Sequence, residues 1–558
     1  MNRQLSQSVF LVFLALVFTV GLSFASVELP YLIDRALIEN VPTPGFDSQG
    51  DEVNRLKTEL FISHYHLRAI GYACLGAVLL LVGVGFATRK TGLAALGALA
   101  FMLPVFAQFA GVMFFLAGLG LLNVVWLPVL DVSFAMSGLG EVIKGPYDLL
   151  RWGFARVGMN GYWVIVYFFV GSGLLIFFLG TLAWLRARAR GEGVAKAWVY
   201  RISRHPQYLG WILWSYGIFI LLQQGRYPRR SWGISASLPW LLSTLVILAV
   251  AMMEELHMRN RHGTEYESYR RSAPFLFPLP GFLERVFALP FRAFFGKGRP
   301  DRKREVLSVL GLYGVLLIAA SFLIYGNGFE RISAGLRSSE AQREYLAGVM
   351  ADIRTEENWR RQSALTRSLG RQGESGVEAL LELLGDPDTE LREYAAITLT
   401  EFPSELAFDA LSVAVTDPVE DVRWRASAAL GALGTPEVVG PLVPLLEDSV
   451  GHIRLGVVLS LAALGAEEVT PIAVGLAGSD SPRERVEGIR ALGALGSDGS
   501  LDVVLRCLTD GESRVREEAV IALLRIGSSG AIEPLEALLE DEDHLVRIYA
   551  DEALKRLR

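Results

Sequence analysis

A 31-residue period runs through the C-terminal part of the chain, from about residue 340 to residue 558. Its most regular member is an arginine: Arg392, Arg423, Arg454, Arg485, Arg516 and Arg547. A leucine follows each arginine by seven residues: Leu399, Leu430, Leu461, Leu492, Leu523 and Leu554. A unit of this length holds two short antiparallel helices, and such units bury their apolar faces by stacking on one another. The period therefore predicts an α-solenoid of six or seven helical pairs.

An aspartate, or in one unit a serine, precedes each arginine by six residues: Asp386, Asp417, Asp448, Ser479, Asp510 and Asp541. An aspartate there can cap the start of a helix, and the arginine can reach the aspartate of a neighbouring unit. We expect this ladder to join neighbouring repeats rather than to catalyse a reaction. The pattern resembles the short HEAT-like repeats, which implies a surface for a protein partner over residues 340–558. No nucleic-acid partner is expected.

The chain before the repeats is apolar and basic. It carries a net charge of +12 up to Phe329, whereas the remainder carries −18, within an overall charge of −6. The whole chain is 52% hydrophobic with a mean hydropathy of +0.36, which is too apolar for an ordinary soluble protein. The two cysteines, Cys74 and Cys507, provide neither a disulfide framework nor a metal-binding spacing, and we expect no metal site.

Seven apolar segments account for that hydropathy: residues 5–26, 67–87, 92–120, 162–185, 207–224, 234–253 and 306–325. A helix of about 20 residues crosses the ~30 Å hydrocarbon core of a bilayer. The sequence thus predicts an all-α chain, in which a multi-span transmembrane helix bundle precedes a soluble α-solenoid. Its predicted divisions are N-terminal transmembrane helices (1–160), a core with an interfacial helix (161–300), a last transmembrane helix with a linker (301–328), and the repeats (340–558).

Lysines and arginines in the connecting segments orient the helices, because such residues favour the cytoplasmic side. With the N-terminus in the cytoplasm, the basic segments 186–204 and 254–305 lie inside and the acidic segment 27–65 lies outside. The last span then delivers the repeats to the outside. We expect a multi-pass protein of a prokaryotic plasma membrane, with the first segment kept as a span rather than cleaved as a signal peptide. Residues 92–130 are interpreted as one long or kinked span.

Polar and aromatic side chains are concentrated where two apolar segments meet one membrane face. The stretch from Arg204 to Gly210 (RHPQYLG) opens the fifth segment, and Glu254-Glu255 closes the sixth. A hairpin of two membrane helices would bring the stretches together. Pro206 suits the first position of a helix, and Gly210 allows a neighbouring helix or a ligand to approach closely. Carboxylates, hydrogen-bond donors and rings in one place suit a zwitterionic molecule that carries a sulfonium group.

The pattern extends over residues 160–280, and its members are Tyr200, Arg204, His205, Pro206, Gln207, Tyr208, Leu209, Gly210, Trp211, Glu254, Glu255, Leu256, Gly263, Tyr266, Tyr269 and Pro274. It resembles the integral-membrane methyltransferases, namely the isoprenylcysteine carboxyl methyltransferases and the related phospholipid methyltransferases. The resemblance implies S-adenosyl-L-methionine as the cofactor, bound at the cytosolic face. The implied cofactor-binding residues are Tyr200, His205, Pro206, Gln207, Tyr208, Glu254 and Glu255. Arg204 would position the acceptor or the cofactor, and the acceptor would be a membrane lipid or a lipidated molecule.

Other functions stay open at this point. Sterol reductases share a similar Arg-His-Pro-x-Tyr-x-Gly helix start and use NADPH. A membrane-anchored scaffold without activity, with the repeats as its working part, is a third possibility. The acid pair followed by Gly263, Tyr266 and Tyr269 favours the methyltransferase. The turn before the pair, Ala249 to Met253, lacks the arginine found there in the eukaryotic isoprenylcysteine enzymes, so a lipid amine, an isoprenoid acid and a prenylated thioether peptide all remain candidate acceptors.

Overall fold

The computed structural model describes residues 2–40, 51–113, 125–132, 140–156, 159, 161–223, 236–277, 281–297, 300–325, 339–356 and 359–558. All regular secondary structure in these ranges is helical, which confirms the predicted fold class. The chain divides into two compact units. The first comprises residues 1–43 and 66–326, and the second comprises residues 44–65 and 327–558.

The helices up to residue 325 are α1 (Asn2–Asn40), α2 (Asp51–His64), α3 (Leu67–Thr88), α4 (Thr91–Met113), α5 (Leu127–Val132), α6 (Gly145–Arg156), α7 (Tyr162–Ala189), α8 (Pro206–Gln223), α9 (Ser237–Ser272), α10 (Gly281–Phe295) and α11 (Lys303–Tyr325). All but α2 belong to the first unit. The sequence had grouped α2 with the N-terminal transmembrane helices, whereas it packs within the second unit.

Apolar helices coincide with the seven predicted spans. Among the described residues, five stretches are long and apolar enough to cross a membrane: Ser6–Pro30, Leu67–Thr88, Tyr162–Ala189, Ser237–Ser272 and Lys303–Ser321. The other two predicted spans correspond to shorter apolar stretches, Thr91–Leu103 of α4 and Pro206–Leu222 of α8. The end of the predicted 92–120 span lies outside the described residues. So do Arg226, Arg229 and Arg230, the one basic cluster that the predicted orientation places outside.

Helix α9 continues past the point where the sixth apolar segment ends. The predicted interfacial helix is not set apart from this segment, because α9 runs unbroken through Glu255 and nothing between Glu255 and His262 interrupts it. The interruption comes at Gly263, whose φ of 50° and ψ of −124° only glycine adopts readily. A last helical piece then ends at Ser272, and it brings Tyr266 and Tyr269 back towards the start of α8.

Helices α7 and α8 pack with their backbones in close contact. A Cβ atom added to Gly173 of α7 would lie 2.4 Å from the backbone nitrogen of Trp214 and 2.7 Å from the carbonyl oxygen of Gly210. A Cβ on Gly210 of α8 would lie 2.6 Å from the backbone nitrogen of Phe177. Small residues at facing positions permit this approach of two apolar helices. Of the two partners that the sequence left open for Gly210, the structure shows the neighbouring helix.

The second unit is an α-solenoid of paired helices, as the period predicts. Its helices are α12 (Ser339–Thr355), α13 (Trp359–Leu369), α14 (Glu374–Leu384), α15 (Thr389–Glu401), α16 (Phe408–Ala414), α17 (Glu420–Leu433), α18 (Val439–Leu442), α19 (Gly451–Ala463), α20 (Thr470–Ala477), α21 (Pro482–Leu495), α22 (Asp498–Cys507), α23 (Ser513–Ile526), α24 (Ile532–Ala537) and α25 (His544–Leu557). The second helices of the pairs carry the periodic arginines and stack on one another. The periodic leucines are buried between them.

The predicted ladder between repeats is confirmed. Arg392 reaches Asp417 of the next repeat, and Arg516 reaches Asp541, each with Nε 2.8 Å from a carboxylate oxygen. The same guanidinium donates from Nη1 to the carbonyl oxygen of the aspartate in its own repeat, for example Arg392 to Asp386 at 2.9 Å. Four of the arginines, Arg392, Arg423, Arg485 and Arg516, therefore tie two successive turns together.

The periodic aspartate has a different local role from the predicted helix cap. Asp448 accepts a hydrogen bond from the backbone N–H of Val450 at 2.8 Å, and Val450 is itself the N-cap of α19. The side chain thus closes the turn that precedes the helix, two residues before the capping position. Asp448 still takes part in the Arg–Asp ladder, because its second carboxylate oxygen faces Arg423.

Candidate active site

The start of α8 is fixed by a short turn before it and by the end of α9 behind it. Pro206 is the first residue of α8, where its missing N–H costs no helical hydrogen bond. The backbone N–H of Arg204 donates to the carbonyl oxygen of Pro274 at 3.0 Å. The N–H of His205 donates to Oγ of Ser203 at 3.2 Å. These bonds hold the side chains of the RHPQY stretch against α9.

A buried ion pair joins the two stretches that the sequence singled out. Nε of Arg204 donates to Oε1 of Glu255 at 2.5 Å, and both side chains are more than nine-tenths buried. Nη1 of Arg204 also donates to the carbonyl oxygens of Arg270 and Ala273, at 2.7 and 2.5 Å. Nε of Arg270 lies 3.3 Å from Oε2 of Glu255. Both oxygens of Glu255 therefore face a guanidinium, and most of the hydrogen-bonding capacity of Arg204 is used within the fold.

The neighbouring carboxylate, Glu254, has a different environment. Its Oε1 accepts a hydrogen bond from the hydroxyl of Tyr208 at 2.7 Å, and 39% of its side chain is exposed, compared with 8% for Glu255. No guanidinium is paired with it among the described contacts. One oxygen of the Glu254 carboxylate is thus held by Tyr208, and part of the side chain is accessible to solvent.

His205 lies between the two carboxylates. Its Nδ1 is 4.0 Å from Glu254 and its Nε2 is 3.6 Å from Glu255, both beyond hydrogen-bond distance. Nε2 is buried and has no hydrogen-bond partner among the described residues. The ring stacks on Tyr208 at a centroid distance of 5.8 Å and meets the edge of Phe275 at 5.2 Å. We call Arg204, His205, Tyr208, Glu254 and Glu255 the clamp.

Tyr200 and Gln207 form a second polar group beside the clamp. The Tyr200 hydroxyl and the Gln207 amide are hydrogen-bonded at about 3 Å, and the Tyr269 hydroxyl donates to the carbonyl oxygen of Tyr200 at 2.8 Å. Burial raises the pKa of Tyr200 to about 12, so its phenol stays protonated at neutral pH. Tyr200 and Gln207 are therefore neutral groups, and Tyr269 fixes their position.

A small crevice of about 70 Å³ opens next to this group. Ala183, which packs in the cluster around Tyr200, also lines it. Its outer wall is Trp198, whose ring lies 4.7 Å from the guanidinium of Arg186. Trp198 is 48% exposed and has a φ of 56°, a strained conformation for a bulky side chain. The crevice thus combines a cationic rim with an exposed ring.

The structure brings all the predicted site residues into one region, and it adds two that the sequence analysis missed. Arg270 pairs with Glu255, and Phe275 contacts both His205 and Arg204. Neither Arg270 nor Phe275 belongs to the sequence pattern of the site, although both lie close to its members Tyr269 and Pro274. The available signals were that Arg270 lies one helical turn after Tyr266 and that Phe275 directly follows Pro274.

Comparisons with known proteins divide the chain in the same way. A family model for HEAT repeats matches residues 410–486 and 471–555. A model described as "Protein of unknown function (DUF1295)" matches residues 185–273, a range that contains the whole clamp and Arg270. No curated protein matches the chain.

Several solved structures of repeat proteins are similar to part of the chain. An archaeal HEAT-like repeats protein from Thermococcus onnurineus NA1 is 18% identical, with 38% of this chain and 96% of that chain covered and a TM-score of 0.29. The complex of CpcE and CpcF of phycocyanin lyase from Nostoc sp. PCC7120 is 20% identical, with 38% and 93% covered and a TM-score of 0.28. A designed armadillo repeat protein in complex with a (KR)4 peptide is 21% identical, with 33% and 99% covered and a TM-score of 0.27. The chain therefore combines apolar helices, a segment of the DUF1295 type and HEAT repeats.

Proposed function

We propose that this chain is an integral-membrane methyltransferase that uses S-adenosyl-L-methionine and acts on a lipid or a lipid-linked acceptor. The observation that carries the proposal is the pairing of the two carboxylates with different partners. Glu255 is buried against Arg204 and Arg270, whereas Glu254 is half-exposed beside Tyr208 and His205. A purely structural ion pair needs the first carboxylate and not the second.

The residues of the clamp fit the chemistry of the cofactor. Glu254 offers an accessible carboxylate to an ammonium group, and the stacked rings of His205 and Tyr208 offer a face to a cation. The unpartnered Nε2 of His205 offers a donor or an acceptor, according to its tautomer. When bound, the cofactor would supply a methyl group on a sulfonium. Glu254, His205 and Tyr208 would hold it, and Tyr200 and Gln207 would line the same site.

Methyl transfer is an in-line displacement that depends on position more than on a strong base. The buried Arg204–Glu255–Arg270 group acts on position, because it fixes the start of α8 against α9 and so fixes Tyr208 relative to Glu254. We therefore assign Arg204, Glu255 and Arg270 a positioning role and assign no general base. The acceptor would enter sideways between apolar helices, and a lipid amine, an isoprenoid acid and a prenylated thioether peptide all suit that route.

The reductase alternative requires cations that are available to the phosphates of NADPH. Arg204 and Arg270 are the nearest candidates, but Glu255 and backbone carbonyls already occupy them. This arrangement suits a compact zwitterion better than a polyanion. The inactive-scaffold alternative does not account for the accessible pairing of Glu254 with Tyr208.

The cofactor test is a thermal-unfolding titration of the purified full-length protein in detergent. S-adenosylhomocysteine at 100 times its dissociation constant is expected to stabilise the protein by about 2.7 kcal/mol, and NADPH is expected to have no effect. Lipid extracts of cells with and without the protein should then differ by the mass of one methyl group. Protection by NADPH alone would replace the methyltransferase with the reductase, and protection by neither compound would favour the scaffold.

We further propose that the clamp lies on the cytoplasmic side and the solenoid on the opposite side. The basic segments near the clamp support the first assignment. The second is supported by α2, which forms one compact unit with the solenoid and must share its side of the membrane. An even number of crossings between residues 66 and 326 satisfies that condition. It is met when α3, α4, α7, α8, α9 and α11 all span.

Labelling of single cysteines in intact cells tests the orientation. With the native cysteines replaced, a cysteine at Glu540 of the solenoid should react with an impermeant maleimide, and one at Arg261 should react only after the cells are opened. Both side chains are exposed. The reverse result would invert the orientation, whereas reaction at both sites in intact cells would contradict the even number of crossings.

The solenoid would serve a protein partner. Stacked helical repeats present extended surfaces of the kind that bind other chains. A partner gathered there would lie on the opposite side of the membrane from the proposed catalytic clamp.

A further inference from the structure

Helix α2 lies on the stacked second helices of the last repeats. Three of its buried side chains, Val53, Lys57 and Leu60, recur on one face, and Phe61 and Ile62 are buried beside them. Val53 and Leu60 belong to the solenoid's hydrophobic core, and Val53 sits beside Arg490 of α21 and Ala522 of α23. At its end, His64 lies 3.1 Å from Asp551, and the Tyr65 hydroxyl is 2.6 Å from Nε2 of His544, both in α25. The helix therefore crosses α21, α23 and α25.

The centre of this contact is a buried lysine between two adjacent carboxylates. Nζ of Lys57 lies 2.8 Å from Glu518 and 3.1 Å from Glu517. Lys57 and Glu518 are more than nine-tenths buried. Glu518 also receives Nη2 of Arg490 at 2.7 Å, and Glu517 has no arginine partner among the described contacts. The carboxylates thus hold one lysine from α2 and one arginine from the solenoid itself.

The electrostatics of the two acids show which one depends on α2. Although burial opposes ionisation of Glu518, Lys57 and Arg490 together hold its pKa below the usual value. Burial raises the pKa of Glu517, and Lys57 offsets only part of that effect. Glu517 is therefore a buried acid whose charge is balanced chiefly by a residue of α2.

This acid pair is not part of the repeat. The positions related to it by the 31-residue period are Glu393-Tyr394, Trp424-Arg425, Leu455-Gly456, Val486-Glu487 and Ile548-Tyr549. Among these related positions, two adjacent acids occur in α23 alone, and the stacking ladder uses other residues, such as Arg516 with Asp541. The Arg–Asp ladder thus does not use Glu517-Glu518. Glu518 binds both Lys57 and Arg490 of the preceding repeat, whereas Glu517 is accounted for by the lysine of α2.

We propose that the face formed by α21, α23 and α25 is a binding site for an amphipathic helix with a central lysine, and that α2 occupies it as a tethered ligand. A partner helix with two apolar side chains flanking a lysine, as in α2, would compete for the face. A partner helix can replace α2 because a buried ion pair contributes little net free energy after desolvation, although it selects strongly for the matching charge. The proposal is independent of the enzymatic activity.

A peptide-binding experiment on the full-length protein tests this proposal. The probe is a fluorescein-labelled peptide of residues 51–65, and its affinity is measured by anisotropy for the wild type and for two variants that release α2. Lys57→Glu places a negative charge against Glu517 and Glu518, and Leu60→Asp disrupts the apolar contact without changing the lysine. Both variants are expected to bind the peptide at least tenfold more tightly than the wild type, whose face is occupied.

Two controls make the result specific. A peptide in which glutamine replaces the lysine should bind the Leu60→Asp protein at least tenfold more weakly. The double variant Lys57→Glu/Glu517→Lys restores opposite charges, so peptide binding should fall back towards the wild-type level. Equal binding to wild type and to both variants, or equal binding of the two peptides, would overturn the proposal. If Lys57→Glu does not fold, as judged by circular dichroism, Leu60→Asp carries the test.

Discussion

Replacing Glu255 by glutamine is expected to lower the free energy of unfolding by about 3–5 kcal/mol, the usual cost of removing one partner from a buried ion pair. The variant leaves Arg204 and Arg270 buried beside a neutral amide, and the 2.5 Å bond from Nε of Arg204 loses its charged acceptor. Chemical denaturation of the purified protein in detergent measures the loss. Binding of S-adenosylhomocysteine should weaken with it, because the start of α8 is no longer held against α9.

Glu254→Gln is the matched control, since it makes the same change one residue away on a half-exposed side chain. We expect a stability change below about 1 kcal/mol, typical of an exposed polar group. We also expect the affinity for S-adenosylhomocysteine to fall at least tenfold, because one charge-assisted contact is lost. The assignment of roles would be reversed by a Glu255→Gln protein of normal stability that binds no cofactor, together with a Glu254→Gln protein that binds normally.

The sequence predicted where the site lies but not which glutamate is buried and which is accessible. Arg204 and Glu255 stand 51 residues apart in the chain, and two apolar helices that form a hairpin bring them into contact. Neighbouring residues on a helix point about 100° apart, so one of two adjacent glutamates must face the interior when the other faces the rim. Which one does so depends on how α9 is rotated against α8. Arg270 was missed for the same reason, because the break at Gly263 sets the direction of the last helical piece.

Prediction of the fold was most successful where the sequence repeats itself. Six copies of one spacing define the paired helices and the Arg–Asp ladder, because each repeat contacts mainly its neighbours. Helix α2 has no period and a mixed polar composition, and its partner Glu518 lies 461 residues away. A contact of that kind depends on a single lysine that fits a single acid pair. Such a contact leaves no recurring signal in the sequence.

Replacing Gly173 by valine is expected to separate α7 from α8 and to cost about 3 kcal/mol or more, at or above the upper end of ordinary overpacking. The new Cβ would lie 2.4 Å from the nitrogen and 2.7 Å from the Cα of Trp214, and backbone atoms cannot move aside as a flexible side chain can. Since α8 begins with the clamp residues, its displacement should also abolish binding of S-adenosylhomocysteine. Thermal unfolding and cofactor titration of the detergent-purified variant measure both effects.

Gly171→Val is the control on the same helix, because a Cβ at Gly171 meets no atom within 4 Å. It changes the composition of α7 equally and should leave both stability and binding close to wild type. Gly210→Val approaches the same contact from α8, where a Cβ would lie 2.6 Å from the nitrogen of Phe177, and it should reproduce the loss. If Gly173→Val and Gly171→Val behave alike, the close approach of α7 and α8 does not hold the clamp in place. In that case the ion pair of Arg204 with Glu255 would have to position the start of α8 by itself.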